Sequence, residues 1–400
     1  MKTEEKIVSL LTALVIVAAF FLGTIFTKED DSRVLKVGFI YVGDGATAYT
    51  KNYMNAQDII NETYGDKVEC IAKYNVVEGQ EAPFVQDLVD EGCEIIFGGS
   101  FGFGESMVNV ARNYPNIQFC HATGVMAAIE NPPDNYHTYM GHIYEGRYIT
   151  GVICGMKLQE MVERNNITPD AAVIGYVAAF PYAEVISGYT AFYLGAKSVC
   201  PSVTMKVKYA NTWSSYTIEK RLAEELLNEG CIIISQHSDT SGPAVACENF
   251  AKNRDVFHVA YNQSMLDVAP TTSIIGCRID WAPYEVAAVG AVLNGKKIEN
   301  ALGNKVNVNG NDAGAGIAEG WVEMLELNDV IAPAGSKEAI ERCIKGFASG
   351  RLDVFSGDFI GVDPFDALDK TDLSKTPFKE NADSSAPSFH YILEDVITIE

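Results

Sequence analysis

Gly-Gly-Ser-Phe-Gly at residues 98–102 satisfies the Gly-x-Ser-x-Gly pattern, with an apolar run before it and a helix-like stretch after it. In that context a serine, here Ser100, is presented on a sharp strand-to-helix turn as the nucleophile of a hydrolase. Such an enzyme also needs an acid and then a histidine from downstream loops, whereas the downstream His258 lies inside an apolar, strand-like run. Ser-Gln-His-Ser-Asp at 235–239 gathers nucleophile, base and acid types around His237. Neighbours in a strand point to opposite faces, so these side chains cannot converge as a triad. They suit hydrogen bonding to a polar ligand, or capping of the helix that follows. A third set is aromatic: Tyr49, Phe101, Phe103, Phe180, Tyr182, Trp213 and Trp281. Aromatic faces on both sides of a cleft suit a flat ring. The competing role of each is core packing, which fits least well for Trp213 in its polar loop, Asn-Thr-Trp-Ser-Ser at 211–215.

The elements that must position these residues follow from periodicity. Apolar, β-branched runs at 34–42, 68–77, 93–97 and 117–122 alternate with helix-like stretches at 53–64, 82–91 and 105–113. A second series opens with a helix at 145–164 and continues with strands at 171–177, 205–209, 231–235 and 256–261, separated by helices at 183–196, 216–228 and 244–252. Strands alternating with helices imply doubly wound parallel sheets. The two series are also similar in residues: Leu-Val-Asp-Glu-Gly-Cys-Glu-Ile-Ile-Phe-Gly-Gly-Ser at 88–100 aligns with Leu-Leu-Asn-Glu-Gly-Cys-Ile-Ile-Ile-Ser-Gln-His-Ser at 226–238 without a gap. Two similar α/β lobes are the economical explanation. Ligands of open parallel sheets sit outside the carboxyl ends of the strands, so two such lobes would face each other across a hinged cleft. Candidate binding segments are then 44–49, 100–103, 180–182, 211–213, 236–239 and Asn262.

Composition narrows the partners. Fifty-three acidic against 30 basic residues give a formal net charge of -23, a field that repels nucleic acid. The nine cysteines form no Cys-x-x-Cys pair and no zinc-like cluster, so neither a metal site nor a disulfide framework is expected. No Walker loop or complete Gly-x-Gly-x-x-Gly occurs, and no cofactor is implied. Residues 7–26 are apolar apart from Ser9, Thr12 and Thr24, long enough to span a bilayer. Their flank lacks a good cleavage site, so an uncleaved anchor is favoured over a signal peptide, with the remaining chain on the outer face of the membrane.

Several stretches together resemble the basic-membrane-protein (PnrA-like) family of ABC-transporter substrate-binding proteins. They are Ser-Phe-Gly at 100–102, Phe-Cys-His-Ala-Thr-Gly at 119–124, Tyr-Glu-Gly-Arg-Tyr-Ile-Thr-Gly at 144–151, Ile-Gly-Tyr-Val-Ala-Ala-Phe-Pro at 174–181, Asn-Thr-Trp at 211–213, Gln-His at 236–237 and Trp-Ala-Pro-Tyr at 281–284. The resemblance implies a type I periplasmic-binding-protein-like fold and no catalysis. It implies a purine base or nucleoside bound between the lobes and handed to a separate permease and ATPase, and it places Glu145 and Asn262 near the ligand. The first loop departs from the family's Asn-Asp pair in having Asp44 alone. Asn262 stands where the ribose-binding Asp is usual, the nearest cation to the family's Lys is Arg278, and the lipoprotein cysteine is missing.

The expected organisation is a membrane segment and linker at 1–32, lobe one at 33–125 plus about 273–330, and lobe two at 126–272 plus about 331–400, with crossovers near 123–144 and 261–275. The acidic tail beyond Asp353 is expected to pack partly on lobe two. Tyr49 or Phe101 would face Phe180 or Trp213 across the ligand, with Ser100, Glu145, His237 and Asn262 on its polar edges and Asp44 and Trp281 nearby. The alternatives are a receptor that presents its bound state to a sensor kinase, and a hydrolase using Ser100.

Overall fold

The structure is a computed structural model that describes residues 33–400. The first series of elements is β1 (Leu35–Ile40), α1 (Ala48–Tyr64), β2 (Val68–Lys73), α2 (Ala82–Asp90), β3 (Ile95–Gly98), α3 (Gly104–Ala111), β4 (Gln118–Ala122) and β5 (Tyr136–Gly141). The second is α4 (Ile143–Glu163), β6 (Val173–Ala178), α5 (Ala183–Lys197), β7 (Thr204–Tyr209), α6 (Tyr216–Asn228), β8 (Ile233–His237), α7 (Gly242–Phe250), β9 (Phe257–Tyr261) and β10 (Ser273–Ile279). Then follow α8 (Ala282–Leu293), β11 (Asn307–Asn309), β12 (Asp312–Ala315), β13 (Val322–Met324) and α9 (Ser336–Ala348). The tail holds four short strands: β14 (Ile360–Val362), β15 (Lys370–Asp372), β16 (Ile392–Leu393) and β17 (Ile397–Ile399).

Two seven-stranded sheets result, ordered β11-β12-β5-β4-β3-β1-β2 and β13-β10-β9-β8-β6-β7-β17, while β15-β14-β16 forms a small third sheet. Within the two large sheets only β11 against β12 and β13 against β10 are antiparallel. Parallel strands are buried on both faces, which explains the unbroken apolar runs of β3 and of residues 37–40 in β1. The chain crosses between lobes at His142, between β10 and α8, and between β12 and β13.

These crossings correct two expected boundaries. β5 belongs to the first sheet, paired with β4 from Phe119 opposite Tyr136, although its apolar run is interrupted by His137 and Thr138. Both are satisfied inside the fold: the His137 ring hydrogen-bonds to Glu299 and Gln118, and Thr138 Oγ1 donates to Asp312 Oδ1 at 2.7 Å. β10 belongs to the second sheet, paired with β9; the chain returns to lobe one only with α8, whose Val286 carbonyl accepts from Tyr64 at the end of α1 (2.7 Å). The expected anchor at residues 7–26 lies outside the described residues. Among the described residues no helix is long and apolar enough to cross a membrane, and all nine cysteines are unpaired.

Helices α4 and α5 pack at backbone distance. A Cβ added at Gly151 would sit 2.0 Å from the Phe192 carbonyl oxygen, and one at Gly195 would sit 2.1 Å from that of Tyr148. The two glycines thereby fix the base of lobe two against which the cleft is built.

The tail packs on lobe two, as expected in part, and also on lobe one. Its apolar side belongs to the core of lobe two: Phe389, Leu373 and Leu393 are buried there, Phe389 stacks on Phe355 at 4.3 Å, and β17 extends the second sheet beside β7. Its polar side grips lobe one: Ser385 donates to both oxygens of Asp312 (2.6 and 2.5 Å), and Asn307 and Asn309 donate to the carbonyls of Asn381 and Asp383.

Glu145, in the first turn of α4, spans two crossings. Its Oε2 accepts from the Ile317 amide at 2.8 Å. Burial pushes its carboxyl from 4.5 up to about 7, against the lowering effect of that amide. The folded state therefore holds its proton more tightly than the unfolded chain, so this group's stabilising contribution is complete below pH 4.5 and is lost as pH rises through about 7. Glu145→Gln should remove up to about 3 kcal/mol of that decline, read by urea denaturation at pH 4.5 and 8; an unchanged difference between the two pH values would show that Glu145 ionises without cost. Phe389→Ala should lower stability by about 3–5 kcal/mol in the same assay, and a loss below about 1 kcal/mol would mean that the tail is no part of the lobe-two core.

Candidate functional site

Between the lobes the carboxyl ends of both sheets enclose a cavity. Its volume is about 110 Å³, and it opens in part to solvent. Lobe one contributes Val42 and Gly43 after β1, Thr47 and Tyr49 at the start of α1, Ser100 and Phe101 after β3, and Thr123 after β4. Lobe two contributes Glu184 after β6, Trp213 and Ser214 after β7, His237 and Asp239 at the end of β8, and Tyr261 ending β9.

One wall is aromatic and crosses the gap. Phe101 of lobe one stacks on Tyr182 of lobe two, with ring centroids 5.2 Å apart and planes 7° from parallel, and lies 6.4 Å from Trp213. Phe180 packs behind, stacked on Tyr182 at 5.1 Å and edge-on to Trp213 at 5.2 Å. The lobes also meet where Asn52 Nδ2 of α1 donates to Asn262 Oδ1 at 3.3 Å.

Polar groups also line the cavity. The buried His237 ring lies against Tyr261, centroids 4.3 Å apart, and neither of its nitrogens has a hydrogen-bond partner. Its Nε2 approaches Glu184 Oε1 to 3.5 Å without hydrogen-bond geometry. Burial lowers the His237 pKa, against the raising effect of Glu184, so the neutral ring is favoured. Gly188 of α5 makes room for it, since a Cβ there would lie 2.6 Å from Nδ1. Burial, with the neighbouring charges of Glu219 and Glu184, pushes Asp239 well above the usual carboxylate range. The hydroxyl of Thr123 also lacks a partner. Its backbone is in the left-handed region, φ 79°, a strained state for a β-branched residue that is characteristic of functional loops.

Beneath the polar wall lies Arg147 of α4, fully buried. It donates to the Tyr176 hydroxyl, to Ser235 Oγ at 2.8 Å and to the Gln236 carbonyl at 3.2 Å. Its guanidinium lies 5.2 Å from each of the Tyr176, Phe192 and Tyr261 ring centroids.

Of the residues expected from sequence, the structure brings Tyr49, Ser100, Phe101, Trp213 and His237 together on the cavity. Phe180 supports Trp213 from the second layer. Asp44 is exposed on the rim, its Oδ1 accepting from the Ala46 amide at 2.9 Å, an ordinary local turn. Trp281 is buried in lobe one, stacked on Tyr53 at 4.5 Å. Asn262 forms part of the contact between lobes, and Glu145 belongs to the crossings. The Ser100 hydroxyl donates to Glu78 Oε1 at 2.7 Å, so its proton is directed to a carboxylate and not to a histidine, unlike the arrangement that activates a serine nucleophile. Within 235–239, Ser235 is tied to Arg147 while Ser238 donates to Glu219 at 2.8 Å, leaving His237 and Asp239 on the cavity. Glu184, Thr123 and Tyr261 were not singled out. Glu184 occupies the first helical turn, where an acid also serves the helix end, and Tyr261 ends a strand whose next residue, Asn262, drew the choice.

Comparison with known proteins agrees with this architecture. Residues 35–347 match the family described as ABC transporter substrate-binding protein, PnrA-like. A purine-binding protein of Brucella abortus is 32% identical over 344 residues, 85% of this chain and 88% of that protein. A putative ABC transporter glucose-binding protein of Haloferax volcanii is 30% identical over 255 residues, 64% of this chain and 60% of that protein. Among solved structures, a solute-binding protein of an ABC transporter system from Conexibacter woesei superposes with a TM-score of 0.61 at 15% identity, covering 80% of this chain and 98% of that one, a likeness of fold. With its family match extending over both lobes and the cleft between them, the chain belongs to the PnrA-like ABC-transporter substrate-binding proteins, which hold small molecules outside the cytoplasm and work with a permease and an ATPase.

Proposed function

We propose that the chain binds a purine, as base or nucleoside, between its lobes and presents it for import. The observation that carries this reading is the aromatic wall that crosses the gap, Phe101 of lobe one against Tyr182 and Trp213 of lobe two, together with unpartnered polar atoms on His237 and Thr123. A planar heteroaromatic ring satisfies both sides: its faces stack, and its edge hydrogen-bonds. Stacking of a base on an aromatic side chain contributes about 1–3 kcal/mol, so discrimination falls to the edge contacts. The purine-binding description of the Brucella relative, alike over 85% of this chain, supports the same ligand class. Occupancy would bias the lobes toward the closed arrangement that the permease recognises.

Calorimetric titration of the full-length chain with adenine, hypoxanthine, guanosine, inosine and glucose tests this. Saturable purine binding, weakened about 10- to 100-fold in Trp213→Ala while glucose gives no heat, is the expected result. Glucose binding without purine binding would overturn the ligand assignment and leave the fold and family as they stand.

A further inference from the structure

The polar wall contains acceptors that no cation opposes. Glu184 and Asp239 both face the cavity, and among the described residues no Lys or Arg lines it. The closest guanidinium in this wall, Arg147, is wholly enclosed and already engaged with Tyr176, Ser235 and the Gln236 carbonyl. His237 comes within 3.5 Å of Glu184 Oε1 but makes no hydrogen bond to it. An ionised carboxylate is acceptor-only. A ligand atom facing Glu184 must therefore carry N–H or O–H, and an oxo group there would place acceptor against acceptor.

Purines differ in this respect at their edges. Adenine and guanine carry an exocyclic amino group, and guanine sets it beside a ring N–H, two parallel donors of the kind that pair with both oxygens of a carboxylate. Hypoxanthine and xanthine lack the amino group, and nucleotides add phosphate charge that a carboxylate at Glu184 repels. Building on the purine assignment above, we propose that Glu184 is a specificity-determining residue that selects purines bearing an exocyclic amino group over their amino-free counterparts and over phosphorylated forms.

The test is a comparison of ligand pairs on the full-length chain: adenine with hypoxanthine, and guanosine with inosine, which differ at the amino position, plus AMP. The amino member of at least one pair should bind about tenfold or more tightly, and AMP should not compete. Glu184→Gln should bring that ratio close to one while changing the affinity of the amino-free member less than about threefold; Trp213→Ala should weaken both members alike. Equal or tighter binding of hypoxanthine and inosine overturns the proposal on the unaltered chain alone, with no variant needed. An amino preference that survives in Glu184→Gln removes Glu184 as its source and overturns it too. Failure of all four purines to bind is a different failure, that of the purine assignment itself, and takes this inference with it.

Discussion

The cleft depends on a cation buried without a carboxylate partner. Desolvating a guanidinium costs several kcal/mol unless its donors and its charge are both answered. Here one terminal nitrogen of Arg147 donates to the oxygens of Tyr176, Ser235 and Gln236 and three aromatic rings at 5.2 Å face its charge, while its Nε finds no partner among the described residues. Those partners come from β6, α5, β8 and β9, so one side chain of α4 holds together the strand ends that make the floor of lobe two. Tyr261, which lines the cavity, packs against both Arg147 and His237. The position of the His237 ring is thus set from below by Arg147 through Tyr261 and from the side by the missing side chain of Gly188.

Much of this was legible in the residues, for reasons that vary with the element. The two-sheet plan follows from strands buried on both faces, whose apolar runs need no partner to be recognised. The strand-end rule then picks out Ser100, Phe101, Trp213 and His237 without any knowledge of side-chain direction. It fails where one position decides: Tyr261 ends β9 and lines the cavity, whereas Asn262, already out of the strand with φ 63°, meets Asn52. It fails again at Asp44, whose carboxylate is taken by its own turn. β5 escaped because His137 and Thr138 break its pattern, and their partners Glu299 and Asp312 are remote in sequence. Arg147 could not be assigned at all from a chain read in one dimension, since a lone arginine in an apolar helix gives no sign of what surrounds it.

The two walls of the cavity divide the work of recognition. Aromatic contact between Phe101 and the Tyr182–Trp213 pair is tolerant, since any flat ring has two faces. The polar wall is exacting, because its neutral histidine, two carboxyls and strained Thr123 loop are already fixed before a ligand arrives. Preorganisation of this kind limits the ordering cost of binding.

The tail changes what kind of joint the molecule has. Two bodies linked by three chain crossings near one edge can bend and also twist about those crossings. Here a fourth attachment, the segment around Ser385, is rooted through Phe389 in one body and fastened to Asp312 of the other. It also backs onto Gly124, where a Cβ would lie 2.3 Å from Ser385 Oγ, directly beside the cavity residue Thr123. Relative rotation of the bodies is therefore geared to the grip of Ser385, and the loop that carries Thr123 shares a bearing surface with a stretch of chain more than 250 residues further on.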